Sequence, residues 1–424
     1  MTKTMTNPGA LKRNESATSA TPTSSAAQAA RDLKYEQSPL KIDYAVKDLV
    51  RMNLNENLVL PQTFLRSVSA RCLDRFSSRH YPSELNEGEM LALKVEIARY
   101  CRCTPEMVCF GNGSDQLIDL LFRMKLRSPG DALVTIDPTF SLYAIMARRM
   151  GAEVLQVPVK PLEPAADGGS ASSSSFALDT DEVVRACKPN DHSRAKKKKT
   201  SPRVLALASP NNPTGVQYPL EQIKHIIESL PEITVLLDEA YVEYASYEAT
   251  KLLGSYRNLI IMRTFSKAFA LASHRLGYLL SSDPDFVRSF EEEFQYPYPV
   301  AEFGVLMATE LLKQRDTVLQ WAKRTTQLRS ELLGGIEGLG VKRGSRKGMT
   351  LRATPNSEAN FLLVKTSAAR SIASELLEKY RIAVKLIDRI GPQSGFLRIT
   401  VGSGQLNEKL LYALRRIAAN GDFN

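Results

Sequence analysis

The chain has few of the residues that metal sites and disulfide frameworks require. Its 424 residues include only five cysteines and four histidines. The cysteines show no paired spacing, and Cys101 and Cys103 stand too close together for a standard metal-binding pair. Four histidines leave no plausible zinc cluster and no Ser-His-Asp arrangement. The sequence therefore predicts no metal site and no disulfide framework, and its cysteine usage indicates a reducing cytosol.

Long apolar runs and a secretory leader are also missing. No run approaches the length of a transmembrane helix. The stretch through about Asp32 is rich in Ser, Thr and Ala and almost without acid, which predicts a disordered tail over residues 1–40. An organelle transit peptide has a similar composition, so cleavage of this tail stays an open alternative. We expect a cytoplasmic protein without a membrane partner.

The net charge of +10 is concentrated in one part of the chain. Residues 162–202 contain a Gly/Ser-rich run, GGSASSSS, followed by the lysine block Lys196–Lys199. This composition predicts a flexible, solvated insert on a connection between two strands. Blocks of like charge are usually only solvated, so we expect no nucleic-acid partner, although a role in binding acidic partners stays open.

Helices and short apolar strands alternate from Leu85 to Leu280, which predicts a mainly parallel sheet covered by helices on both faces. The C-terminal third predicts a smaller α+β unit. Its predicted elements are a long helix through LMATELLKQ and RTTQLRSELLGGI, a strand NFLLV, a helix SIASELLEKY, a strand FLRITVG and a final helix NEKLLYALRRIA. We expect residues 81–304 to form the large domain and residues 305–424 the small one, with residues 41–80 packing on the small domain.

Polar clusters end three successive apolar runs that have the pattern of buried strands. These runs end in ASPNNPTG, in LLDEAYVEY and in RTFSKAFALASHRLGY. The carboxyl ends of neighbouring parallel strands form one crevice, so the three clusters are expected to surround one ligand.

The third cluster has the composition that a covalently bound pyridoxal phosphate needs. Lys267 follows a hydrophobic strand, and two arginines, Arg263 and Arg275, bracket it. A lysine at a strand end can form an imine with an aldehyde when its amine is partly desolvated. Thr264, Ser266 and Arg275 can donate hydrogen bonds to the cofactor phosphate.

The other two clusters supply residues for the cofactor ring. Asp238 can keep the pyridine nitrogen protonated, which makes the ring an electron sink. Asn212 and Tyr241 can hydrogen-bond the ring hydroxyl oxygen and fix the tilt of the ring toward Lys267. We therefore predict Lys267, Asp238 and Tyr241 as the catalytic residues.

The order N-P-T-G, then D-x-A-Y, then S-K with an arginine eight residues later resembles the fold-type I aminotransferases. The segment SKAFALASHRLGY is most similar to their histidinol-phosphate aminotransferase branch, and the resemblance extends over NLNEN, FGNGSDQLIDLL, DPTFSLY and FLRITVG. It implies a fold-type I α/β transferase with a smaller α+β domain and a pyridoxal 5'-phosphate cofactor. The implied reaction interconverts L-histidinol phosphate plus 2-oxoglutarate with imidazole acetol phosphate plus L-glutamate, by ping-pong kinetics.

The resemblance also assigns further cofactor residues. Gly113, Ser114 and Asp115 would bind the phosphate at the start of a helix, and Phe140 would lie against the cofactor face. Tyr81 would reach the cofactor phosphate of a neighbouring subunit. The active site would then be shared within a homodimer, and a monomer would be inactive.

The expected substrate residues are Arg398, Asn55 and Arg389. By resemblance Arg398 binds the carboxylate of glutamate and the anionic end of the partner substrate. Ile387 stands where this branch commonly has a second arginine for the substrate phosphate. Strand alternation puts Lys385 and Arg389 on the same face as Ile387, so we expect one of them to replace it.

Three alternatives stay open. An aminotransferase for aromatic or other amino acids is favoured if Ile387 removes a phosphate anchor. A pyridoxal-phosphate-dependent decarboxylase of a phosphorylated amino acid shares nearly all these motifs. A non-enzymatic binding or regulatory protein with this fold is disfavoured by the intact set of Lys267, Asp238, Tyr241 and Arg398.

Overall fold

The larger of two sheets carries the three strands whose ends were predicted to meet. The structure, a computed structural model, describes residues 39–159, 176–189, 200–340 and 351–420. The larger sheet contains the strands β2 (Val108–Asn112), β3 (Asp131–Asp137), β4 (Glu153–Pro158), β5 (Ser201–Ala208), β6 (Thr234–Asp238), β7 (Leu259–Thr264) and β8 (Leu276–Ser281). Their order across the sheet is β2-β8-β7-β6-β5-β3-β4.

The sheet is mainly parallel, as the sequence predicted. Strands β3 to β7 pair in parallel, and β8 runs antiparallel to both β7 and β2. The strands are continuously apolar because both faces are covered. In β6, for example, Leu236 and Leu237 are both fully buried and belong to hydrophobic clusters on opposite faces.

The smaller sheet contains the strands β1 (Val50–Met52), β9 (Arg352–Ala353), β10 (Phe361–Lys365), β11 (Ile382–Ile390) and β12 (Gln393–Thr400). Their order across the sheet is β1-β11-β12-β10-β9. On β12, Leu397 and Ile399 pack in a cluster with the helices Ala369–Tyr380 and Gly404–Asn420. Phe396, on the other face, belongs to the core cluster of the large sheet. Residues on the Phe396 face of β12 therefore point toward the large sheet.

Helices cover both sheets. The α-helices are Gln62–Leu73, Gly88–Cys101, Gly113–Lys125, Leu142–Arg149, Thr180–Ala186, Leu220–Ser229, Pro284–Ser289, Glu302–Lys313, Arg315–Gly340, Ala369–Tyr380 and Gly404–Asn420. Short 3-10 turns occur at Pro105–Met107, Val242–Tyr244, Thr250–Ser255 and Ala272–His274, and a π-helical turn at Phe290–Phe294. No helix in the described ranges is both long and apolar enough to cross a membrane.

Two predicted elements differ in the structure. The long helix of the C-terminal third is two helices, Glu302–Lys313 and Arg315–Gly340, which are separated at Gln314. The helical repeat of apolar residues continues across Gln314, because both helices bury apolar residues, so the sequence pattern does not reveal the break. The small sheet also gains β1 and β9, which are three and two residues long and too short to give a period-2 pattern.

The predicted flexible insert over residues 162–202 is too broad. The helix Thr180–Ala186 lies inside it, and the side chain of Asp179 caps this helix by accepting a hydrogen bond from Glu182 N at 3.0 Å. Val183 is fully buried against the core, and β5 begins at Ser201. The Ser and Lys runs dominate the composition of this segment and so conceal the short helix. The lysine block and the predicted N-terminal tail through residue 38 lie outside the described residues.

Candidate active site

The three polar clusters meet at one edge of the large sheet. Ala208 of β5 pairs with Asp238 of β6, and Asp238 pairs with Met262 of β7, so the loops that follow these strands leave the sheet side by side. A cavity of about 200 Å³ opens at this edge. Its lining consists of Leu54, Asn55, Ser114, Asp115, Phe140, Ala208, Pro210, Asn212, Asp238, Ala240, Tyr241, Thr264, Ser266, Lys267, Arg275 and Arg398.

Lys267 extends into this cavity from the loop after β7. Its Nζ donates a hydrogen bond to the carbonyl oxygen of Leu54 at 3.3 Å and lies 5.5 Å from the centroid of the Tyr241 ring. Burial, and then the positive charge of Arg398, lower the pKa of Lys267 to about 8. A substantial fraction of this amine is therefore neutral near physiological pH, as a nucleophile requires.

Asp238 lies buried at the end of β6. It accepts hydrogen bonds from the hydroxyl of Tyr143 at Oδ2 and from the backbone N–H of Ala240 at Oδ1, the latter at 2.9 Å. Burial raises the pKa of Asp238 to about 6 although both hydrogen bonds favour the ionised form. A carboxylate in this position fits a ligand with a protonated ring nitrogen, because the cation would stabilise its charge.

An anion cradle lies in the same cavity, at the start of the helix Gly113–Lys125. Gly113 has φ +73°, and a Cβ atom on it would lie 2.5 Å from Nη2 of Arg275. That nitrogen donates to Asp115 Oδ2 at 2.9 Å. A Cβ on Gly277 would lie 3.1 Å from the backbone nitrogen of Ser114. The two glycines thus let a guanidinium and a helix N-terminus share a small space, which fits a phosphate.

Tyr241 and Asn212, predicted to hold a ring hydroxyl, are each bound by a residue from the side of the small sheet. Nδ2 of Asn55 donates to the Tyr241 hydroxyl oxygen at 2.9 Å. Nη1 of Arg398 donates to Asn212 Oδ1, and Nη2 donates to the carbonyl oxygen of Asn53 at 2.8 Å. Asn55, predicted to contact substrate, lines the cavity with its amide directed at Tyr241.

The register of β11 against β12 separates the predicted substrate cations. Lys385 lies directly opposite Arg398, Ile387 opposite Phe396, and Arg389 opposite Ser394. Arg389 is exposed, and neither Lys385 nor Arg389 lines the cavity, so substrate binding by Arg389 stays a prediction. The strand carries it about 13 Å beyond Lys385, since each residue adds ~3.3 Å. Ile387 packs against the large core.

Two predicted aromatic residues have different surroundings. Phe140 lines the cavity and packs edge-on against Tyr143, with 5.6 Å between ring centroids. Tyr81 is 80% exposed, does not line the cavity of its own chain, and stacks on Tyr298 at 5.0 Å. A cofactor role for Tyr81 stays a prediction that requires a second subunit.

Arg263, one of the two arginines that bracket Lys267 in the sequence, turns away from the cavity. It is fully buried, and its Nε and Nη2 donate to Oε2 of Glu239 at 2.9 and 2.7 Å. Strand alternation puts Arg263 and Thr264 on opposite faces of β7. Neither this ion pair nor Tyr143 belongs to the site that the motifs predicted. A buried tyrosine hydroxyl usually has a hydrogen-bond partner, and this rule could have pointed to Tyr143 as a residue that supports the site.

Comparisons with known proteins agree with this geometry. The family model described as aminotransferase class I and II matches residues 48–417. A histidinol-phosphate aminotransferase from Gloeobacter violaceus is 35% identical over 328 residues, which cover 77% of this chain and 80% of the relative. One from Stenotrophomonas maltophilia is 33% identical over 352 residues, with 81% and 86% covered.

A solved structure has the same fold. The crystal structure of histidinol-phosphate aminotransferase from Sinorhizobium meliloti in complex with pyridoxal-5'-phosphate matches with a TM-score of 0.71 and 22% identity. The match covers 88% of this chain and 91% of that one. The family model spans most of this chain, so the chain belongs to the aminotransferase class I and II family.

Proposed function

We propose that the chain is a pyridoxal-phosphate-dependent aminotransferase of histidine biosynthesis. It would interconvert L-histidinol phosphate plus 2-oxoglutarate with imidazole acetol phosphate plus L-glutamate. The observation that carries the proposal is that Lys267, Asp238 and Arg398 line one small cavity together with an anion cradle. The names of the 33–35% identical relatives support the choice of substrate.

Pyridoxal phosphate, when bound, supplies an electron sink for the carbanion that forms at the amino acid's α-carbon. Arg275, Thr264, Ser266 and the N-terminus of the helix Gly113–Lys125 would hold its phosphate. Asp238 would hold its ring nitrogen in the protonated state.

The remaining residues of the cavity orient the ring and move the proton. Asn212 and Tyr241 would bind the ring oxygen. Lys267 would carry the cofactor and then, once its amine is released, move the proton at the α-carbon as a general acid/base. Its lowered pKa, about 8, suits this role because a base works best when its pKa is near the working pH.

We propose two cations for the anionic ends of the substrates. Arg398 lines the cavity, and its planar guanidinium suits bidentate binding of a carboxylate. Lys385 is its direct neighbour across β11 and β12. We assign to Lys385 the role of second phosphate anchor, in place of the arginine that Ile387 replaces.

Ile387 favours one second candidate, an aminotransferase for aromatic amino acids. This side chain is apolar and packs near Phe396, and Leu54 lines the cavity with 42% of its surface exposed. Ile387 does not line the cavity itself, so this candidate rests on the missing cation and on Leu54, which favour a substrate without a phosphate.

A single-turnover absorbance assay separates the two candidates. The pyridoxal form of the purified protein is offered L-histidinol phosphate, phenylalanine and glutamate separately, and conversion to the pyridoxamine form is followed. Preferential conversion by histidinol phosphate and by glutamate is expected. Conversion by phenylalanine and glutamate alone would instead assign the aromatic activity. Lys267→Ala is the control and should abolish turnover, and retained transamination in this variant would overturn the whole assignment.

We further propose a homodimer with shared active sites, which the exposed Tyr81–Tyr298 stack supports. Mixing Lys267→Ala with Tyr81→Ala tests this arrangement. Each mixed dimer would contain one site with both native residues, so about a quarter of wild-type activity should return on random exchange of subunits. No recovery, with subunit exchange verified by energy transfer between two fluorophores, would contradict a shared site.

A further inference from the structure

We infer that Asn55 is a positioning residue that directs the hydroxyl hydrogen of Tyr241 toward the cofactor ring. The inference rests on the part of the proposed function that concerns pyridoxal phosphate. It does not depend on which amino acid is the substrate, because the contacts that support it involve only residues of the chain.

The backbone of Asn55 is held in a single conformation from two sides. The residue is 1% exposed and has φ +55°, in the left-handed region. Its N–H donates to Oγ1 of Thr400 at 3.0 Å, and its carbonyl oxygen accepts from Nδ2 of Asn360 at 3.1 Å. Thr400 ends β12, and Asn360 directly precedes β10. Two neighbouring strands of the small sheet therefore fix where this side chain starts.

The same contacts decide which way the side-chain amide of Asn55 points. The Thr400 hydroxyl already accepts a hydrogen bond from Asn55 N–H, so its own hydrogen is available for donation. Oδ1 of Asn55 lies 3.4 Å from it and accepts that hydrogen. Nδ2 is then the end of the amide that faces Tyr241, at 2.9 Å. The amide donates and the phenol oxygen accepts.

This assignment leaves the Tyr241 hydroxyl hydrogen for another acceptor. The Tyr241 ring is fixed edge-on against Phe361, with 5.3 Å between centroids, and burial raises the pKa of its hydroxyl, so the phenol keeps its proton. Accepting a hydrogen bond from Asn55 makes the phenol a stronger donor. Tyr241 lines the cavity that also contains Lys267. The acceptor that suits this position is the ring oxygen of the cofactor.

Asn55 also connects the substrate-binding strand with the cofactor site. Arg398 and Thr400 lie two residues apart on one face of β12, and they bind Asn53 O and Asn55 N respectively. The segment from Asn53 to Asn55 thus spans from the strand that carries Arg398 to the hydroxyl of Tyr241.

Two substitutions separate the amide from the backbone. Asn55→Gly keeps the left-handed backbone and its two hydrogen bonds but removes the amide. Asn55→Asp keeps the shape and replaces the donor by an acceptor, which would draw the Tyr241 hydrogen away from the cofactor. Tyr241→Phe is the reference, since it removes the hydroxyl. The readout is the midpoint pH of the visible absorbance change of the lysine-bound cofactor, with no substrate present.

We expect all three variants to raise this midpoint. A ring oxygen that loses a donor holds the proton it shares with the Lys267 nitrogen more tightly. Asn55→Gly should raise the midpoint by about 0.5 to 1 pH unit, which corresponds to one weakened hydrogen bond. Asn55→Asp should raise it as far as Tyr241→Phe. In the Tyr241→Phe background, Asn55→Gly should add nothing, because both act through one hydroxyl.

Two results would overturn the inference. One is an unchanged midpoint in both Asn55 variants while Tyr241→Phe shifts it. The other is a shift from Asn55→Gly that persists at full size in the Tyr241→Phe background. If the wild-type protein fails to bind pyridoxal phosphate at all, the proposed function itself fails, so the two failures are distinguishable.

Discussion

The hydroxyl of Tyr143 donates a hydrogen bond to Oδ2 of Asp238 inside the core of the large sheet. Tyr143 is fully buried and lies in the helix Leu142–Arg149, which follows β3. Burial raises the pKa of Asp238, and this hydrogen bond opposes the rise. Tyr143 therefore helps to keep Asp238 ionised.

Substitution Tyr143→Phe should weaken cofactor binding. Without the hydroxyl, the pKa of Asp238 rises further above about 6, and less of the carboxyl is ionised at pH 7. A hydrogen bond to a charged group contributes ~1.5–3 kcal/mol, and the smaller ionised fraction of Asp238 at pH 7 should then increase the dissociation constant for pyridoxal phosphate about two- to fifteen-fold. Fluorescence titration with the cofactor measures this constant.

Tyr218→Phe is the matched control for that experiment. Tyr218 is equally buried, and its hydroxyl has no hydrogen-bond partner within the described part of the chain. Its removal should leave cofactor binding unchanged. Equal dissociation constants for Tyr143→Phe and wild type would show that Tyr143 has no such role.

Asp238→Asn should stabilise the cofactor-free protein above pH 6. The pKa of Asp238 is about 6 in the folded chain and 3.8 for the ordinary group. Between these values the folded state holds more protons than the unfolded state, so stability falls as the pH rises through this window and the loss is complete above pH 6. The amide that replaces the carboxyl does not titrate, so the free energy of unfolding of the variant would not fall by the ~2–3 kcal/mol that the wild type loses.

Urea unfolding of the cofactor-free proteins at pH 4 and pH 7.5 measures this effect. The advantage of Asp238→Asn over wild type should be larger at pH 7.5. Glu243, whose pKa burial raises to about 7, is common to both proteins and cancels in the comparison. The same advantage at both pH values would contradict the ionisation of a buried Asp238.

Lys385→Ala should raise the KM for L-histidinol phosphate about tenfold or more, because a charged contact with the phosphate would be lost. Arg389→Ala is the matched comparison and should change this KM less, since Arg389 is a cation on the same face of β11 but lies opposite Ser394 and away from Arg398. Steady-state kinetics with both substrates measure the change, and the KM for glutamate should stay near its wild-type value. An unchanged KM for histidinol phosphate in Lys385→Ala would remove this anchor.

Glu239→Gln should destabilise the protein far more than Glu248→Gln. Both carboxylates accept a hydrogen bond from Nη2 of Arg263, at 2.7 and 3.0 Å. Glu239 is fully buried with Arg263, whereas the Glu248 side chain is 34% exposed. Breaking a buried pair costs about 3–5 kcal/mol, and weakening a partly exposed one costs about 1 kcal/mol or less.

Urea unfolding at pH 7 provides the two free energies of unfolding. Glu239 directly follows Asp238, and Arg263 directly precedes Thr264, so this pair joins β6 and β7 beside the cavity. Similar decreases in the free energy of unfolding of the two variants would mean that the burial of Glu239 contributes little to stability.

The sequence by itself determined the fold class and the ligand-facing ends of three strands. Continuously apolar strands that end in polar clusters are compatible with few folds other than a mainly parallel sheet whose crevice lies at the carboxyl ends of its strands. Asp238 and Lys267 were predictable for this reason, because Asp238 ends β6 and Lys267 follows β7, whereas Arg275 was predictable from its spacing to Lys267.

Only the tertiary structure decided which neighbours complete the site. Tyr143 and Asp238 are 95 positions apart, and Asn55 and Tyr241 are 186 apart, so no local pattern joins them. Arg263 and Arg275 both bracket Lys267 in the sequence, and the fold buries Arg263 against Glu239 while Arg275 lines the cavity. Arg389 and Lys385 share a face of β11, and only the register of β11 against β12 determines which of them lies beside Arg398. These choices depend on packing and strand register, which are properties of the whole fold rather than of any segment.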